Sequence, residues 1–249
     1  MRASAVIAAT AGMAANVNAA GAPHPWMAPD GSAVRGPCPM LNSLANHGYL
    51  ARDGKEISMQ NLIDGLGSAL HFNESLVRTL GTPAFATSTT GNPNTFNLDD
   101  IAKHNVIEHD GSLSRADFAV TGDAKTFNET VWAETRGYLG YVEDGTSADA
   151  TVDYKIMAAA RSKRIATAKA TNPSFNLAAN QVTVSLGESA VILGTIGQSY
   201  SAPAAPLSWL RVVFEEERLP FAEGWKTSDT EITTAQVLGL SQLIATSSS

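Results

Sequence analysis

The sequence predicts an all-α fold in one compact domain. Apolar side chains recur near every 3.6 residues over most of the chain, and the two-residue alternation typical of half-buried strands is scarce. A length of 249 residues suits one domain, two at most, and no internal stretch is long enough to serve as a linker. We therefore expect a single helical domain over residues 21–249.

The predicted elements begin with an irregular arm over 23–37, which is rich in proline and glycine. A short helix follows Cys38. A longer helix is expected over 59–80, because Ser58 is a start signal and Gly81 is a stop signal.

The rest of the chain is predicted as a long loop followed by five helices. The loop runs from Thr82 to Asn97, and loops of this length are usually functional or mobile. Asp123 is expected to cap the first of the five helices, and Pro173 to end the second. Their expected ranges are 124–139, 149–171, 185–197, 205–217 and 231–245.

Charge and composition exclude several classes of protein. The chain carries 17 Lys and Arg against 24 Asp and Glu, a net charge of −7, so it lacks the basic character of nucleic-acid-binding proteins. An apolar content of 44% is too high for a disordered chain. Beyond the N-terminus no segment is apolar for long enough to cross a membrane. We therefore expect neither a nucleic-acid nor a membrane partner.

Residues 1–20 predict a secretory signal peptide. Arg2 precedes an uncharged, alanine-rich stretch, and small residues cluster over 19–22, where a cleavage site would fall. The alternative is a disordered, alanine-rich N-terminus. Glycosylation sequons at Asn73 and Asn128 fit export, so we expect a secreted glycoprotein.

The one cysteine of the chain lies between two prolines. Pro39 suits the first position of a helix, which makes Cys38 the N-cap. Unpaired amides and the positive end of the helix dipole favour a thiolate at that position and lower the thiol pKa. Cys38 is therefore a candidate nucleophile or metal ligand, and the alternative is an inert buried cysteine.

An acidic cluster follows at residues 108–115. A carboxylate, a hydroxyl and a backbone carbonyl on this tight turn would form a set of hard oxygen ligands for Mg²⁺, Mn²⁺ or Ca²⁺. Asp110 beside His109 can fix the imidazole tautomer and raise its basicity. The alternative is a polar turn before a helix that starts near Ser114.

Glu188 also has two interpretations. Ser185 lies three residues before it, which is the spacing of a capping box, so Glu188 could simply close the start of a helix. Alternatively it borders an apolar helix face, where its pKa would rise and it could transfer protons near neutral pH. The spacing alone favours the cap.

Three segments resemble signatures of the fungal heme-thiolate peroxidases, the family of chloroperoxidase and the unspecific peroxygenases. The first runs over Arg35–Leu50 and contains Pro-Cys-Pro followed by Leu-Asn-x-Leu-Ala-Asn-His-Gly, which is hard to obtain by chance. The second is Glu108-His109-Asp110 with Ser112, and the third is Phe214–Trp225. The Glu-His-Asp form and the short length resemble the short peroxygenases most.

The resemblance implies a role for each candidate residue. Cys38 would be the axial thiolate of a heme b, which would lie between the Cys38 helix and a distal helix carrying Glu188. Glu188 would transfer the proton of the peroxide, His109 would orient Glu188, and Asp110 would hold His109. For Cys38, the acidic cluster and Glu188, the resemblance thus favours the functional interpretation over the structural alternative.

The resemblance also implies a cation and a substrate pocket. Glu108, Ser112 and the carbonyl of His109 would bind Mg²⁺ or Mn²⁺ together with a heme propionate. The expected pocket residues are Phe85, Val184, Gly187 and Val191.

The implied activity is insertion of oxygen from hydrogen peroxide into C–H bonds, alkenes and arenes of small organic substrates, with one-electron peroxidase activity on the side. A chloroperoxidase-like halogenase is an alternative. With one cysteine, we expect a monomer or a noncovalent homodimer.

Two further hypotheses come from other classes of protein. A hydrolase could use Cys38 as nucleophile with His109 or His47 as its base. A secreted glycoprotein without catalytic activity would need none of these roles.

Overall fold

The computed structural model describes residues 24–144, 147 and 150–248. The predicted signal peptide, residues 1–20, lies outside this part of the chain. The arm before Cys38 is irregular, as predicted, and has only a turn near residues 31–32.

Within the described residues the fold is mainly helical, and the predicted all-α class is confirmed. The α-helices are α1 Pro39–His47, α2 Met59–Leu70, α3 Glu74–Phe85, α4 Phe118–Thr121, α5 Glu129–Tyr138, α6 Tyr154–Thr171, α7 Ala179–Ile196, α8 Leu207–Glu215 and α9 Thr234–Ser247. Two short 3₁₀ helices cover Asp100–Ala102 and Phe221–Glu223.

Two small antiparallel sheets join distant parts of the chain. Strand β1 (Ile57–Ser58) pairs with β2 (Thr95–Phe96), and β3 (Thr151–Asp153) pairs with β4 (Ala204–Pro206). The second sheet ties the start of α6 to the start of α8, because each helix directly follows its strand.

The core lies where α6, α7 and α9 pack against one another. Leu193 and Ile196 of α7 are fully buried, as are Leu240 and Ile244 of α9. Burial of these side chains stabilises the fold by roughly 1.5–3 kcal/mol each. Helix α7, which carries Glu188, is therefore held by the best-packed part of the domain.

The single helix predicted over 59–80 is wrong. Ser58 does cap α2 through a capping box with Asn61, but the chain leaves the helix at His71, where φ is 58°. The amide of Ile232 donates to the carbonyl of His71, and the amide of Asn73 donates to the carbonyl of Ile232, both at 2.8 Å. This pairing with a segment far along the chain replaces the helical hydrogen bonds and separates α2 from α3.

The start of α5 is also later than predicted. Asp123 closes a turn instead, since its side chain accepts from the amides of Lys125 and Thr126. The helix begins after Asn128, whose Oδ1 accepts from the amide of Val131 at 3.0 Å.

The loop predicted from Thr82 to Asn97 is shorter than expected, because α3 continues through Pro83 to Phe85.

Helix α7 begins at Ala179, six residues before the predicted start at Ser185. The side chain of Gln181 accepts from the amide of Ala178 at 2.8 Å, which caps the helix one and a half turns earlier. Glu188 consequently lies in the middle of α7, and its interpretation as a capping residue is wrong.

None of the helices in the described residues combines the length and hydropathy required to span a bilayer.

Candidate active site

Cys38 caps α1, as the sequence predicts. It has extended backbone dihedrals, and Pro39 follows at the first helical position. Since proline has no amide hydrogen, the next two amides, of Met40 and Leu41, are the ones that act to lower the pKa of the Cys38 thiol. The sulfur therefore lies where α1 presents its positive end.

The expected fall in the pKa of Cys38 is wrong for the protein chain alone. Burial raises the pKa to about 11, and the charge of Glu188 adds to this effect, while the amides of Leu41 and Met40 and the charge of Arg115 only partly oppose it. The thiolate needs a cation bound directly to the sulfur, because the peptide dipoles do not compensate for burial.

The three motif segments meet at the carboxylate of Glu217. Nδ2 of Asn42, in the cysteine segment, donates to Oε1 of Glu217 at 2.8 Å. Nη2 of Arg115, in the acidic segment, donates to the same oxygen at 2.7 Å. The Arg115 side chain is 1% exposed and that of Glu217 is 21% exposed, so the cation is the buried partner of this ion pair.

Asn42 also shapes the chain just before Cys38. Its side chain accepts from the amide of Gly36 at 3.0 Å and donates to the Gly36 carbonyl at 2.8 Å. A Cβ at Gly36 would lie 2.0 Å from the carbonyl oxygen of Leu98, so only glycine fits. Sequence reasoning assigned no role to Asn42, Arg115 or Glu217, although all three lie in the motif segments.

His47 is not available as a base for Cys38. Its Nδ1 donates to the carbonyl of His24 at 2.9 Å, and its Nε2 accepts from the amide of Leu219 at 3.1 Å. Burial lowers its pKa, in agreement with a neutral ring. The hydrolase hypothesis with His47 as base is therefore excluded by geometry.

His109 and Glu188 form the second part of the site. Nε2 of His109 lies 3.4 Å from Oε2 of Glu188, and this nitrogen has no hydrogen-bond partner among the described residues. Burial acts to lower the pKa of His109, but Glu188 outweighs it and raises the pKa to about 9. The imidazole is therefore a cation at neutral pH and forms an ion pair with Glu188. It is not a free base for Cys38.

Asp110 supports His109 through its backbone and not through its carboxylate. Nδ1 of His109 donates to the carbonyl oxygen of Asp110 at 2.8 Å. The Asp110 carboxylate instead accepts from the amide of Asn176 at 2.8 Å. The predicted contact between neighbours exists, but the atom that holds the ring differs, because Asp110 is needed to anchor the segment before α7.

Glu108 has a partner that the sequence did not indicate. Nδ1 of His104 donates to Oε2 of Glu108 at 2.6 Å, while Oε1 is buried and has no hydrogen-bond partner among the residues that the structure describes. Burial raises the pKa of Glu108, and His104 opposes the rise. The backbone carbonyl of Ser112 accepts from Nε of Arg164 at 3.1 Å.

No cluster of three or more His, Cys, Asp or Glu side chains suited to a metal ion occurs in the described residues. A cation at Glu108 would therefore depend on backbone and hydroxyl oxygens.

The helix expected to start near Ser114 starts later in the structure. Helix α4 starts at Phe118, and Asp117 does not cap it with its side chain but accepts from the amide of Gly111.

Three of the four predicted pocket residues share a face of α7 with Glu188. Val184 lies four residues before Glu188, Val191 lies three residues after it, and Gly187 directly precedes it. All three pocket residues are half-buried. A Cβ at Gly187 would meet no atom within 4 Å, so there is open space beside the carboxylate. Phe85 lies on α3, where it packs edge-on against Phe96, and it stays a prediction.

The helical fold and these side chains define the class of heme-thiolate peroxidases: one cysteine at the positive end of a helix, and a glutamate on a second helix held by a histidine. Residues 24–230 match the family model described as Peroxidase, family 2. This chain belongs to that family.

Curated relatives agree with this assignment. The chain is 29% identical over 182 residues to an aromatic peroxygenase from Cyclocybe aegerita, covering 66% of this chain and 47% of that protein. It is 29% identical over 185 residues to an aromatic peroxygenase from Coprinellus radians, covering 68% of each. Similarity to a chloroperoxidase from Leptoxyphium fumago is 35% over 99 residues, or 38% of this chain and 26% of that protein. The chain thus matches about half of the first relative's length and about a quarter of the third's.

The family implies heme, and the residues present fit this group. Cys38 is partly accessible, and the amides of Met40 and Leu41 favour its thiolate, as suits an axial ligand. Glu188 has an exposed carboxylate, with its side chain 59% exposed, beside the open space at Gly187. The iron would supply the cation that the Cys38 sulfur needs.

Proposed function

We propose that this protein is a heme-thiolate peroxygenase that uses hydrogen peroxide to oxygenate small organic substrates. The observation that carries this proposal is the pairing of Cys38, at the positive end of α1, with the His109–Glu188 ion pair. A cysteine at a helix start or a His–Glu pair occurs alone in other kinds of site. Together, Cys38 supplies the iron ligand and Glu188 supplies the proton carrier that peroxide activation requires.

In this proposal Cys38 would ligate a heme b, which would lie between α1 and α7. The bound heme supplies activation of peroxide, and the electron donation of the thiolate favours cleavage of the O–O bond. The amides of Met40 and Leu41 tune that donation, because each hydrogen bond withdraws charge from the sulfur. Arg115 and Glu217 act at a distance by fixing the segment around Asn42.

Glu188 carries the proton. Its carboxylate takes a proton from hydrogen peroxide and returns it to the departing oxygen, which is general acid–base work worth about 10²–10⁴ in rate. The ion pair with His109 engages one carboxylate oxygen of Glu188 and so orients the group. The Asp110 carbonyl fixes the imidazole, so the proton on Nδ1 of His109 stays in place.

A divalent cation, Mg²⁺ or Mn²⁺, is part of this proposal. Its ligands would be Oε1 of Glu108, the hydroxyl of Ser112, the carbonyl of His109 and a heme propionate. The unpartnered buried oxygen of Glu108 supports this assignment, since such an atom costs free energy unless something binds it. Hard oxygen ligands suit both ions.

We infer a pocket that admits substrates of moderate bulk, with Val184, Gly187 and Val191 around Glu188 and Phe85 further out. Phenols would be oxidised one electron at a time when they are poor oxygen acceptors. We also propose that the protein is secreted and glycosylated at Asn73 and Asn128. It would be a monomer or a noncovalent homodimer. Asn73 donates to Glu231 at 2.9 Å, so a glycan there would displace this hydrogen bond.

The test combines a spectrum and a product analysis. The purified protein should show a Soret band, and the band of its reduced CO adduct should be red-shifted as thiolate ligation demands. Reaction with ¹⁸O-labelled peroxide should place the label in the product of an arene or alkane substrate. Unlabelled, radical-coupled products would contradict oxygen transfer, and halide-dependent products would favour a chloroperoxidase-like activity instead.

A further inference from the structure

Arg161 is a buried cation without a counterion among the described residues. Of the three buried arginines, Arg115 pairs with Glu217 at 2.7 Å and Arg164 pairs with Asp117 at 3.6 Å. Arg161 is only 6% exposed, yet no described carboxylate lies within ion-pair distance of it. Burial lowers its pKa, but a guanidinium stays charged, so the missing partner has a real cost.

The guanidinium is nevertheless held in a defined position. Nε of Arg161, on α6, donates to the hydroxyl of Ser185, on α7, at 2.9 Å in a buried hydrogen bond. The Ser185 hydroxyl thereby fixes one edge of the group. Neither Nη nitrogen donates a hydrogen bond to a described residue, so the end of the fork that binds a carboxylate with two parallel hydrogen bonds is free.

The Nη nitrogens of Arg161 lie in the same region of the protein as Glu188. Ser185 lies one helical turn before Glu188 on the same face of α7. The charge of Glu188 acts on Arg161, which shows that the two groups are close enough to interact through the protein.

We propose that Arg161, oriented by Ser185, binds a carboxylate beside the Glu188 pocket. This inference rests on the proposed function, because it assigns a ligand group to that pocket. The carboxylate has two sources: an organic acid that enters as substrate, or a propionate of the heme. In both cases the ligand completes a buried ion pair that the chain alone leaves unfinished.

The substrate source is tested by binding on the holoprotein. A monocarboxylic aromatic acid and its primary amide have nearly the same shape but differ in charge, and both can be titrated by the change in the Soret band. If the acid is the ligand, it should bind the unmodified protein at least about 10-fold more tightly than the amide, which is the effect of one charge-assisted pair. In Arg161→Met the ratio should fall to about one.

The propionate source has its own readouts. If a propionate is the ligand, Arg161→Met should lose heme to an excess of a heme-scavenging protein at least about 10-fold faster, and the propionate bending mode in its resonance Raman spectrum should shift. Acid and amide would then bind the unmodified protein equally. Lys163→Met is the matched control, since it removes one positive charge from the exposed side of the same helix and should change none of these quantities.

Two milder variants keep the test open if Arg161→Met does not fold. Ser185→Ala removes only the hydrogen bond that orients the fork, and Arg161→Lys keeps the charge without the fork, so both should lie between Arg161→Met and the unmodified protein. Equal acid and amide affinity in the unmodified protein, together with heme release and Raman bands that are unchanged in these variants, would overturn the carboxylate site. Failure of the proposed function is a separate result, because the CO spectrum of the unmodified protein reports it before any ligand is added.

Discussion

Nε2 of His109 lies 3.4 Å from Oε2 of Glu188, and this contact joins a loop of the acidic motif to the centre of α7. The imidazole is 4% exposed while the carboxylate is 59% exposed, so the histidine forms the buried side of the pair and leaves the glutamate accessible. A carboxylate that is held on one side and open on the other can exchange a proton with a small molecule without moving far.

Replacing Glu188 by Gln should slow the reaction with peroxide by about 10²–10⁴-fold, because the amide cannot accept the proton. The rate is measured by stopped-flow spectroscopy at several peroxide concentrations. His109→Ala should cost less, since the proton acceptor remains, and the double variant should be no slower than Glu188→Gln alone. Thr183→Ala, on the exposed side of α7, is the control. An unchanged rate in Glu188→Gln would remove this residue from the mechanism.

Replacing Cys38 by Ser should abolish the red-shifted band of the reduced CO adduct, because a hydroxyl does not supply the electron donation of a thiolate. Heme content should fall as well. Ser43→Ala, a small change on the same helix α1, should keep the spectrum. A Cys38→Ala variant that retained full heme and full activity would show that another residue ligates the iron.

Exhaustive treatment with EDTA should remove a divalent cation and lower the melting temperature by about 5–10 °C, the effect expected for loss of a ligand near 100-fold saturation. Metal analysis should find one Mg²⁺ or Mn²⁺ per chain before treatment. Glu108→Gln should hold less metal and respond less to EDTA, whereas Asp64→Asn, an exposed change, should behave as the unmodified protein. No change in metal content or melting would make the 108–112 segment a simple turn.

Replacing Glu217 by Ala should destabilise the fold by about 3–5 kcal/mol, because it leaves the buried guanidinium of Arg115 without its counterion. The free energy of unfolding in urea measures this cost. Glu216→Ala, whose partner Arg218 keeps its contact with Glu223, should cost at most about 1 kcal/mol. Equal losses of unfolding free energy in the two variants would mean that the Arg115–Glu217 pair stabilises the fold no more than an exposed pair does.

Stability should fall at acid pH through Glu215. Burial acts to raise the pKa of Glu215, but hydrogen bonds from Arg211 and Trp132 lower it below its usual 4.5. A carboxyl with a depressed pKa in the folded state stabilises the protein above pH 4.5, and this contribution is lost as the pH falls through the folded pKa.

Glu215→Gln should therefore cost about 1–3 kcal/mol near pH 7, and the difference should shrink steadily below pH 4.5. Urea unfolding at a series of pH values gives the comparison, with the exposed Glu56→Gln as control. A pH-independent difference would assign the cost to packing instead of charge.

Local chemistry explains which parts of the fold were predictable. The start of α1 at Cys38 and of α2 at Ser58 depends on a proline or a capping side chain within a few residues, so the sequence shows it directly. The end of α6 at Thr171, shortly before Pro173, is visible in the sequence for the same reason. The motif resemblance then identified Cys38, His109 and Glu188 as site residues.

The tertiary structure decided what local patterns leave ambiguous. Ser185 and Glu188 have the spacing of a capping box, but the Ser185 hydroxyl accepts from Arg161 on another helix, and Gln181 caps α7. The break between α2 and α3 likewise comes from pairing with Ile232, about 160 residues along the chain.

The sequence by itself therefore determined the helical class, the position of Cys38 at the positive end of a helix and the motif residues of the site. Only the tertiary structure decided that Asn42, Arg115 and Glu217 share one carboxylate, that the thiol pKa rises, and that Arg161 is buried without an ion pair in the described residues. The physical reason is range. Caps and periodicity act over one or two turns, whereas desolvation and ion pairing depend on groups that folding brings together from distant parts of the chain.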